Sequence, residues 1–434
     1  MCGLVRVKVL NYPKVWVDRL GFKTEVTDYW ARRCLIPIGT IRHPLEYKLL
    51  ASGYRDIPIE DVVTIPFDRA SLGFTSRKLL NILLLGGSGD GKTLMIKNVL
   101  SVLSRADYYN IYYEPKGTFD GVRAKEKWFH DRLAPLMKPE GLKIKSLYPG
   151  WGHEKIKFNP CMDKEAYSYS LSDFDSWEYW MSLGHSKMGA FKIHKICSEL
   201  DSEGLLSLDN VEVKMDALSL GANPEMAMQT YNKSKGIMND IRYFNVLSDV
   251  VPVLEPLDWL RRGYILLVNF PNKFNQHLMC FDIGVMIRKM VKLSVKGLLN
   301  GHPVMFYFDD SSFYANKIEG VLFNMALSDI MDIGNNYRSL GLNNLLAVQT
   351  LSIIDEDVAE TYKTKLISPL FANPDSLRKI NIPERVISYL KENVLVKDSL
   401  HYAFQWVKID QYNNVELFFP FPPGCKHFAD EVEV

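Results

Sequence analysis

The sequence contains no long hydrophobic run. In its 434 residues every apolar stretch stops short of the roughly 18 residues that a helix needs to cross a bilayer. The first twenty residues mix charged with apolar side chains, so they lack the uninterrupted apolar region of a secretory signal. These two absences predict a soluble, cytoplasmic protein without a membrane span.

Cysteine is scarce, and neither sign of charge is in excess. The six cysteines are scattered, with no C-x-x-C pair and no matching histidine spacing, which predicts reduced thiols. Lysine and arginine number 52 and aspartate and glutamate 51, for a net charge of +1. The chain therefore has no global basic field of the kind that attracts nucleic acid. A DNA partner would need a local basic patch or a ring of several subunits.

What the chain does have is a glycine-rich turn between an apolar stretch and an amphipathic one. Residues 86–93 read GGSGDGKT and fit G-x-x-x-x-G-K-[ST], the P-loop. The apolar stretch 82–85 before it predicts a buried strand, and the apolar residues after it recur at helical spacing. Glycines let backbone amides surround a phosphate, and the N-terminus of the following helix adds partial positive charge. The motif predicts binding of a nucleoside triphosphate.

Each position of the P-loop has an expected role. Lys92 is predicted to reach the β- and γ-phosphates, and the Thr93 hydroxyl to ligate Mg²⁺. The predicted nucleotide-binding residues are Gly86, Gly87, Ser88, Gly89, Asp90, Gly91, Lys92, Thr93 and Leu94.

Strand and helix signals alternate after the P-loop, which predicts an α/β fold with a mainly parallel central sheet. The predicted elements are strands at 82–85, 110–113, 143–147, 265–268, 304–308 and 344–348, a helix at 384–390 and a hairpin around 413–414. The predicted organisation is a small β-rich or mixed N-terminal module (1–75), a nucleotide-binding core in two parts (76–161 and 251–434, the second with a C-terminal tail) and a helical insertion (162–250).

Residues 162–250 show no strand signal. Large apolar side chains recur there at roughly helical spacing, a pattern more typical of a helical core than of a ligand groove. These side chains are Trp177, Trp180, Met181, Met188, Ile193, Ile196, Leu200, Met226, Met228, Ile237 and Met238.

Two further strands are predicted to complete the nucleotide site. The apolar stretch 304–308 ends in Asp309 and Asp310, as the Walker B element requires. We assign Asp309 to the metal ion and Asp310 to the attacking water. The later stretch 344–348 ends in Gln349, whose amide could hydrogen-bond the γ-phosphate or that water.

This series of motifs resembles the HerA/FtsK superfamily of ring-forming, DNA-pumping ATPases. The resemblance rests on the P-loop, on 308–310, on Arg338 with Gly341, and on 347–350. The segments 114–117, 152–160 and 422–427 are similar to secondary motifs of HerA and VirD4-type proteins. The resemblance implies a RecA-like P-loop core that hydrolyses Mg-ATP. It also implies a homo-oligomer, of hexamer type, with double-stranded DNA as partner and a possible nuclease or portal protein as a further partner.

The chain departs from the family pattern at one position. The family usually places a glutamate second in the acidic pair, whereas this chain has Asp310. The shorter side chain lies about one methylene further from the water, and general-base contributions are of order 10²–10⁴-fold. The departure therefore bears on the rate of hydrolysis rather than on nucleotide binding.

The resemblance also implies an arginine that reaches the nucleotide of a neighbouring subunit, and Arg338 is the first candidate. The other candidates are Arg242, Arg261 and Arg262. Basic residues in predicted loops are candidates for gripping DNA phosphates without reading bases. They are Lys116, Lys155, Lys157, Lys233 and Lys235.

Two alternative functions remain open from the sequence. A protein-handling ATPase of a secretion or pilus system would share the same core but move polypeptide. A nucleotide-gated assembly protein would bind ATP to build a ring and hydrolyse it negligibly.

Overall fold

The structure of the protein is a computed structural model. It describes residues 31–42, 59–67, 80–87, 90–114, 143–149, 164–219, 224–243, 247, 253, 255–260, 264–270, 276–315, 323–349, 356–368, 374–394 and 405–420. The strands in these ranges are β1 (Leu35–Thr40), β2 (Val62–Pro66), β3 (Asn81–Leu85), β4 (Tyr109–Glu114), β5 (Lys143–Pro149), β6 (Lys164–Tyr167), β7 (Tyr264–Asn269), β8 (Val304–Phe308), β9 (Leu342–Val348), β10 (Thr364–Ile367), β11 (Trp406–Ile409) and β12 (Val415–Pro420). The α-helices are α1 (Lys92–Leu103), α2 (Trp177–Ser182), α3 (Lys187–Ser202), α4 (Leu208–Ser219), α5 (Pro224–Tyr243), α6 (Pro256–Trp259), α7 (Gln276–Val295), α8 (Met325–Asn335), α9 (Glu356–Thr361), α10 (Pro374–Lys379) and α11 (Glu384–Val394).

All of these strands belong to one sheet, in the order β2-β1-β12-β11-β10-β3-β9-β8-β4-β7-β5-β6. From β10 to β6 each neighbouring pair is parallel. The remaining strands, β11, β12, β1 and β2, continue the sheet beyond β10 in antiparallel pairs. The prediction of an α/β fold with a mainly parallel sheet is confirmed.

The central parallel strands β3 and β8 are buried on both faces, which explains why they are nearly continuous apolar runs rather than alternating ones. In β3, Leu83 and Leu85 belong to the core cluster that contains residues of α7 and α8. Ile82 and Leu84 point to the opposite face and join the cluster that contains the apolar side of α1. The sheet therefore lies between two helical layers, with the P-loop strand inside it.

The predicted strands and helix recur in the structure with the same or longer bounds, and the 413–414 hairpin joins β11 to β12. The prediction that 162–250 lacks strands is wrong at its start, because β6 extends the sheet beside β5. Its sequence, KEAY, has no β-branched residue and is too short to show a period. Strands β1 and β2 lie within 1–75, and the existence of a separate module there stays a prediction.

Helices α2 to α5 occupy the predicted helical insertion. Trp180, Ile193 and Leu200 are buried there, as the apolar spacing predicts. Met188 is an exception, since 65 % of it is exposed, so its predicted burial is wrong. In the described ranges no helix is both long and apolar enough to cross a membrane.

A buried carboxyl group links α7 to β6, the edge strand of the sheet, and to the residues that follow β6. Asp282 is fully buried and accepts hydrogen bonds from the Tyr169 hydroxyl at 2.7 Å and the Tyr167 hydroxyl at 2.8 Å. Burial raises the pKa of Asp282 to about 7, although both tyrosine hydrogen bonds act in the opposite direction. The folded protein therefore retains a proton on Asp282 at a pH where the unfolded chain has released it.

This retained proton predicts a pH-dependent stability. We expect the free energy of unfolding of the native protein, relative to Asp282→Asn, to fall as the pH rises from about 4 to about 7. Each pH unit in this window, between the ordinary pKa of 3.8 and the folded value of about 7, costs up to about 1.4 kcal/mol. Denaturant unfolding of both proteins at several pH values measures the difference. Two parallel stability curves would contradict the prediction.

Candidate functional site

The P-loop connects β3 to α1, as the sequence predicts. The amide of Gly86 donates to the Val348 carbonyl at 3.1 Å, which holds the start of the loop against the end of β9. Gly91 has φ of 85°, a left-handed conformation that favours glycine, and it caps α1. Ser88, Gly89 and the side chain of Leu94 lie outside the described residues, so their predicted roles stay predictions.

Lys92 lies at the start of α1, and its side chain is buried against the loop. Its Nζ donates to the carbonyl of Gly86 at 2.9 Å and also to that of Gly87. An ammonium group at this position, beside the N-terminus of α1, lies where a phosphate would gain both its charge and the helix dipole.

Asp309 is the point at which the two predicted halves of the site meet. Its Oδ2 accepts from the Thr93 hydroxyl at 2.7 Å and from the Tyr112 hydroxyl at 2.9 Å, and its Oδ1 accepts from the Asp310 amide at 2.9 Å. The Tyr314 hydroxyl donates to the Asp309 backbone carbonyl. The sheet order therefore brings together Thr93 and Asp309, which are 216 positions apart in the chain.

The electrostatics of this point fit a divalent cation. Burial raises the pKa of Asp309, and the neighbouring Asp310 carboxylate raises it further, against the hydrogen bonds from Thr93 and Tyr112. Two buried acids side by side are costly unless positive charge compensates them. The donor set, a hydroxyl oxygen next to carboxylate oxygens, is the oxygen chemistry that Mg²⁺ takes.

Asp310 and Gln349 are also brought together. The Gln349 side-chain amide donates to Asp310 Oδ1 at 2.5 Å, from the end of β9 to the end of β8. Asp310 has φ of 47° and ψ of 53°, a left-handed backbone that is uncommon outside glycine, asparagine and aspartate. Such conformations cost of order 1–3 kcal/mol and cluster at functional sites. This turn aims the second acid towards Gln349.

The four arginine candidates differ in whether the structure describes them and in whether their charge is paired within the chain. Arg338 lies in the 3-10 helix Tyr337–Leu340, but its side chain is not among those that the structure describes. Its action on the nucleotide of a neighbouring subunit therefore stays a prediction. Arg242 pairs with Asp209 and Glu212, two acids of α4 that raise its pKa. Because its charge is already compensated within the chain, we no longer favour it. Arg261 and Arg262 lie outside the described residues.

The predicted DNA-contacting lysines are mostly untested. Lys116, Lys155 and Lys157 lie outside the described residues. The placement of Lys233 and Lys235 in loops is wrong, because both lie on α5. Lys235 also donates to the Tyr231 hydroxyl at 3.1 Å, a contact within its own helix.

Sequence reasoning missed two contributors to the site. Tyr112 holds Asp309, and the available signal was a phenol in a buried strand, whose hydroxyl usually needs a partner. The second is Ser368, whose hydroxyl donates to the Asp90 carboxylate of the P-loop at 2.9 Å. The same carboxylate accepts from the Gly87 amide at 2.5 Å. Ser368 follows β10, so this contact ties the P-loop to that strand. No local pattern marks Ser368.

No protein-family model matches the chain, and no curated protein matches it in sequence. Solved structures do. The unbound monoclinic form of the bacterial conjugative coupling protein TrwB aligns with a TM-score of 0.53 at 13 % identity, over 94 % of this chain and 93 % of that one. TrwB with the ATP analogue ADPNP gives 0.51 at 14 %, over 85 % and 97 %.

TrwB with ADP and Mg²⁺ gives a TM-score of 0.50 at 14 % identity, over 85 % of this chain and 97 % of that one. At this level of identity the likeness concerns the fold. The chain has the RecA-like P-loop ATPase fold found in the plasmid coupling protein TrwB.

Proposed function

We propose that this protein is a ring-forming, ATP-driven DNA translocase that hydrolyses Mg-ATP at subunit interfaces. The observation that supports it most is the hydrogen bond of 2.7 Å between Thr93 of the P-loop and Asp309 at the end of β8. That contact joins the P-loop helix to the strand end that is predicted to hold the metal ion. The fold shared with TrwB, a coupling protein solved in complex with an ATP analogue, supports the same proposal.

The residues have distinct tasks in this proposal. Lys92 and the loop amides bind the β- and γ-phosphates, and Thr93 and Asp309 hold Mg²⁺. Bound Mg²⁺ would neutralise charge on the phosphate oxygens. Asp310 accepts the proton of the attacking water, and Gln349 orients either that water or Asp310. Arg338 of a neighbouring subunit stabilises charge that develops on the γ-phosphate, a contribution of about 10³–10⁵ in rate where such arginines are known.

Turnover tests the proposal directly. We expect long double-stranded DNA to stimulate steady-state ATP hydrolysis, and Lys92→Ala to abolish hydrolysis with and without DNA, because it removes the cation that contacts the phosphates. Lys296→Ala, which removes an exposed charge in the turn just after α7, is the matched control.

Near-normal hydrolysis by Lys92→Ala would refute the site. Hydrolysis by the native protein that is indifferent to DNA would favour a protein-handling ATPase. Nucleotide binding without any hydrolysis would favour an assembly protein.

The water-activating role of Asp310 predicts a separation of binding from turnover. Asp310→Asn keeps the size and the polar contact to Gln349 but cannot take a proton. We expect hydrolysis to fall by about 10²–10⁴-fold while ATP affinity changes little. Calorimetric ATP binding beside steady-state rates measures both. Unchanged turnover would assign the base to another residue.

The contact from Tyr112 predicts a defect in metal-dependent binding. In Tyr112→Phe, Asp309 loses the hydroxyl that fixes its Oδ2 beside Thr93, and we expect Mg²⁺-dependent ATP affinity to weaken roughly 10-fold. ATP binding in the presence of a chelator should be unchanged. The matched control is Tyr307→Phe, which removes a buried hydroxyl that donates instead to Asn110 at 2.8 Å. Equal effects of the two variants would show that Tyr112 only stabilises the fold.

A further inference from the structure

Helix α3 has an outer face that is both basic and apolar. Its members, which we call the α3 face, are Lys187, Met188, Phe191, Lys192 and Lys195, all exposed. At about 100° per residue these positions fall within an arc of roughly 140°, and they span about 12 Å along the helix axis. They form one continuous surface.

The fold does not need the apolar members of this face. Met188 is 65 % exposed and Phe191 is 55 % exposed, whereas Ile193 and Ile196 on the opposite side of the helix are buried. Those inner residues belong to the core cluster, and Met188 and Phe191 do not. Met188 and Phe191 lie one turn apart, so together they form one contiguous apolar surface with lysines beside it.

The charges of α3 also run against helix stability. A helix favours acids in its first turn and bases in its last, but α3 has no acid in the first and no base in the last. At the C-terminal end there is a local reason, since Glu199 and Glu203 face Lys214 of α4. In the middle of the helix, Lys192 and Lys195 have no ion-pair partner among the described residues.

Lys187 adds an aromatic neighbour to the surface. Its Nζ lies 5.5 Å from the centre of the Trp177 ring, a cation–π contact. The α3 face therefore offers three ammonium groups interleaved with exposed apolar and aromatic surface. Its complement is a flexible polyanion that also carries flat apolar groups.

We propose that the α3 face binds single-stranded nucleic acid. Lys187, Lys192 and Lys195 contact backbone phosphates, and an unstacked base lies on Phe191. A duplex would supply the phosphates but keeps its base faces stacked, and an acidic peptide would leave Phe191 without a flat partner. The inference rests on the proposed function for its nucleic-acid partner but not on turnover at the P-loop.

Fluorescence anisotropy with a labelled oligothymidylate tests this surface in the full chain. We expect Phe191→Ala to weaken binding about 5- to 150-fold, the contribution of one stacked base. The triple change Lys187→Gln, Lys192→Gln and Lys195→Gln should reduce the slope of log affinity against log salt by about 2. The matched control neutralises three exposed charges elsewhere, with Lys296→Gln, Lys363→Gln and Arg385→Gln, and should leave affinity near that of the native protein.

The outcomes separate this inference from the proposed function. If the native protein binds the oligonucleotide and the α3-face variants bind it equally well, the α3 face is overturned and nucleic-acid binding stands. If the variants lose only duplex or anionic-vesicle binding, the face belongs to that partner and the inference fails. If the native protein binds no nucleic acid while it hydrolyses ATP, both the inference and the DNA partner fail, and the ATPase assignment stands.

Discussion

The site depends on how the Asp309 carboxylate is held at the end of β8. A buried acid is tolerated only when its oxygens are partnered, and here they accept from Thr93, Tyr112 and the Asp310 amide. These donors come from α1, β4 and the turn after β8, so all three elements must be in register for the acid to be satisfied. The strand order β3-β9-β8-β4 provides that register, since it places β8 between the strand of Tyr112 and the strand of Gln349.

Much of this arrangement could be predicted from the sequence, because buried parallel strands are apolar runs whose polar residues concentrate at their ends. Asp309, Asp310 and Gln349 each follow such a run, and the structure brings them to the same edge. Strands β6 and β10 were missed because four residues are too few to show a period. Tyr112 was missed because a strand buried on both faces gives no indication of the direction of each side chain.

In the helical segment, apolar spacing alone does not distinguish buried from exposed apolar residues. Apolar spacing places a helix there and identifies Trp180 and Ile193 as core, but it does not exclude an apolar residue on the outer side, as Met188 is. What separates the two kinds of residue is their neighbours in the chain. Met188 and Phe191 alternate with lysines on one arc of α3, whereas the buried residues lie on the other. Charge pattern and apolar pattern therefore have to be read together.

The antiparallel strands beyond β10 have a consequence for access to the nucleotide site. Because β11, β12, β1 and β2 extend the sheet on that side, the P-loop strand β3 lies deep within it, and neither of its edges offers unpaired backbone groups. A second protein cannot reach the P-loop by adding a strand beside it. Any protein group that acts on the bound phosphates from outside the chain must approach over the carboxyl ends of the strands, where Asp310 and Gln349 face it.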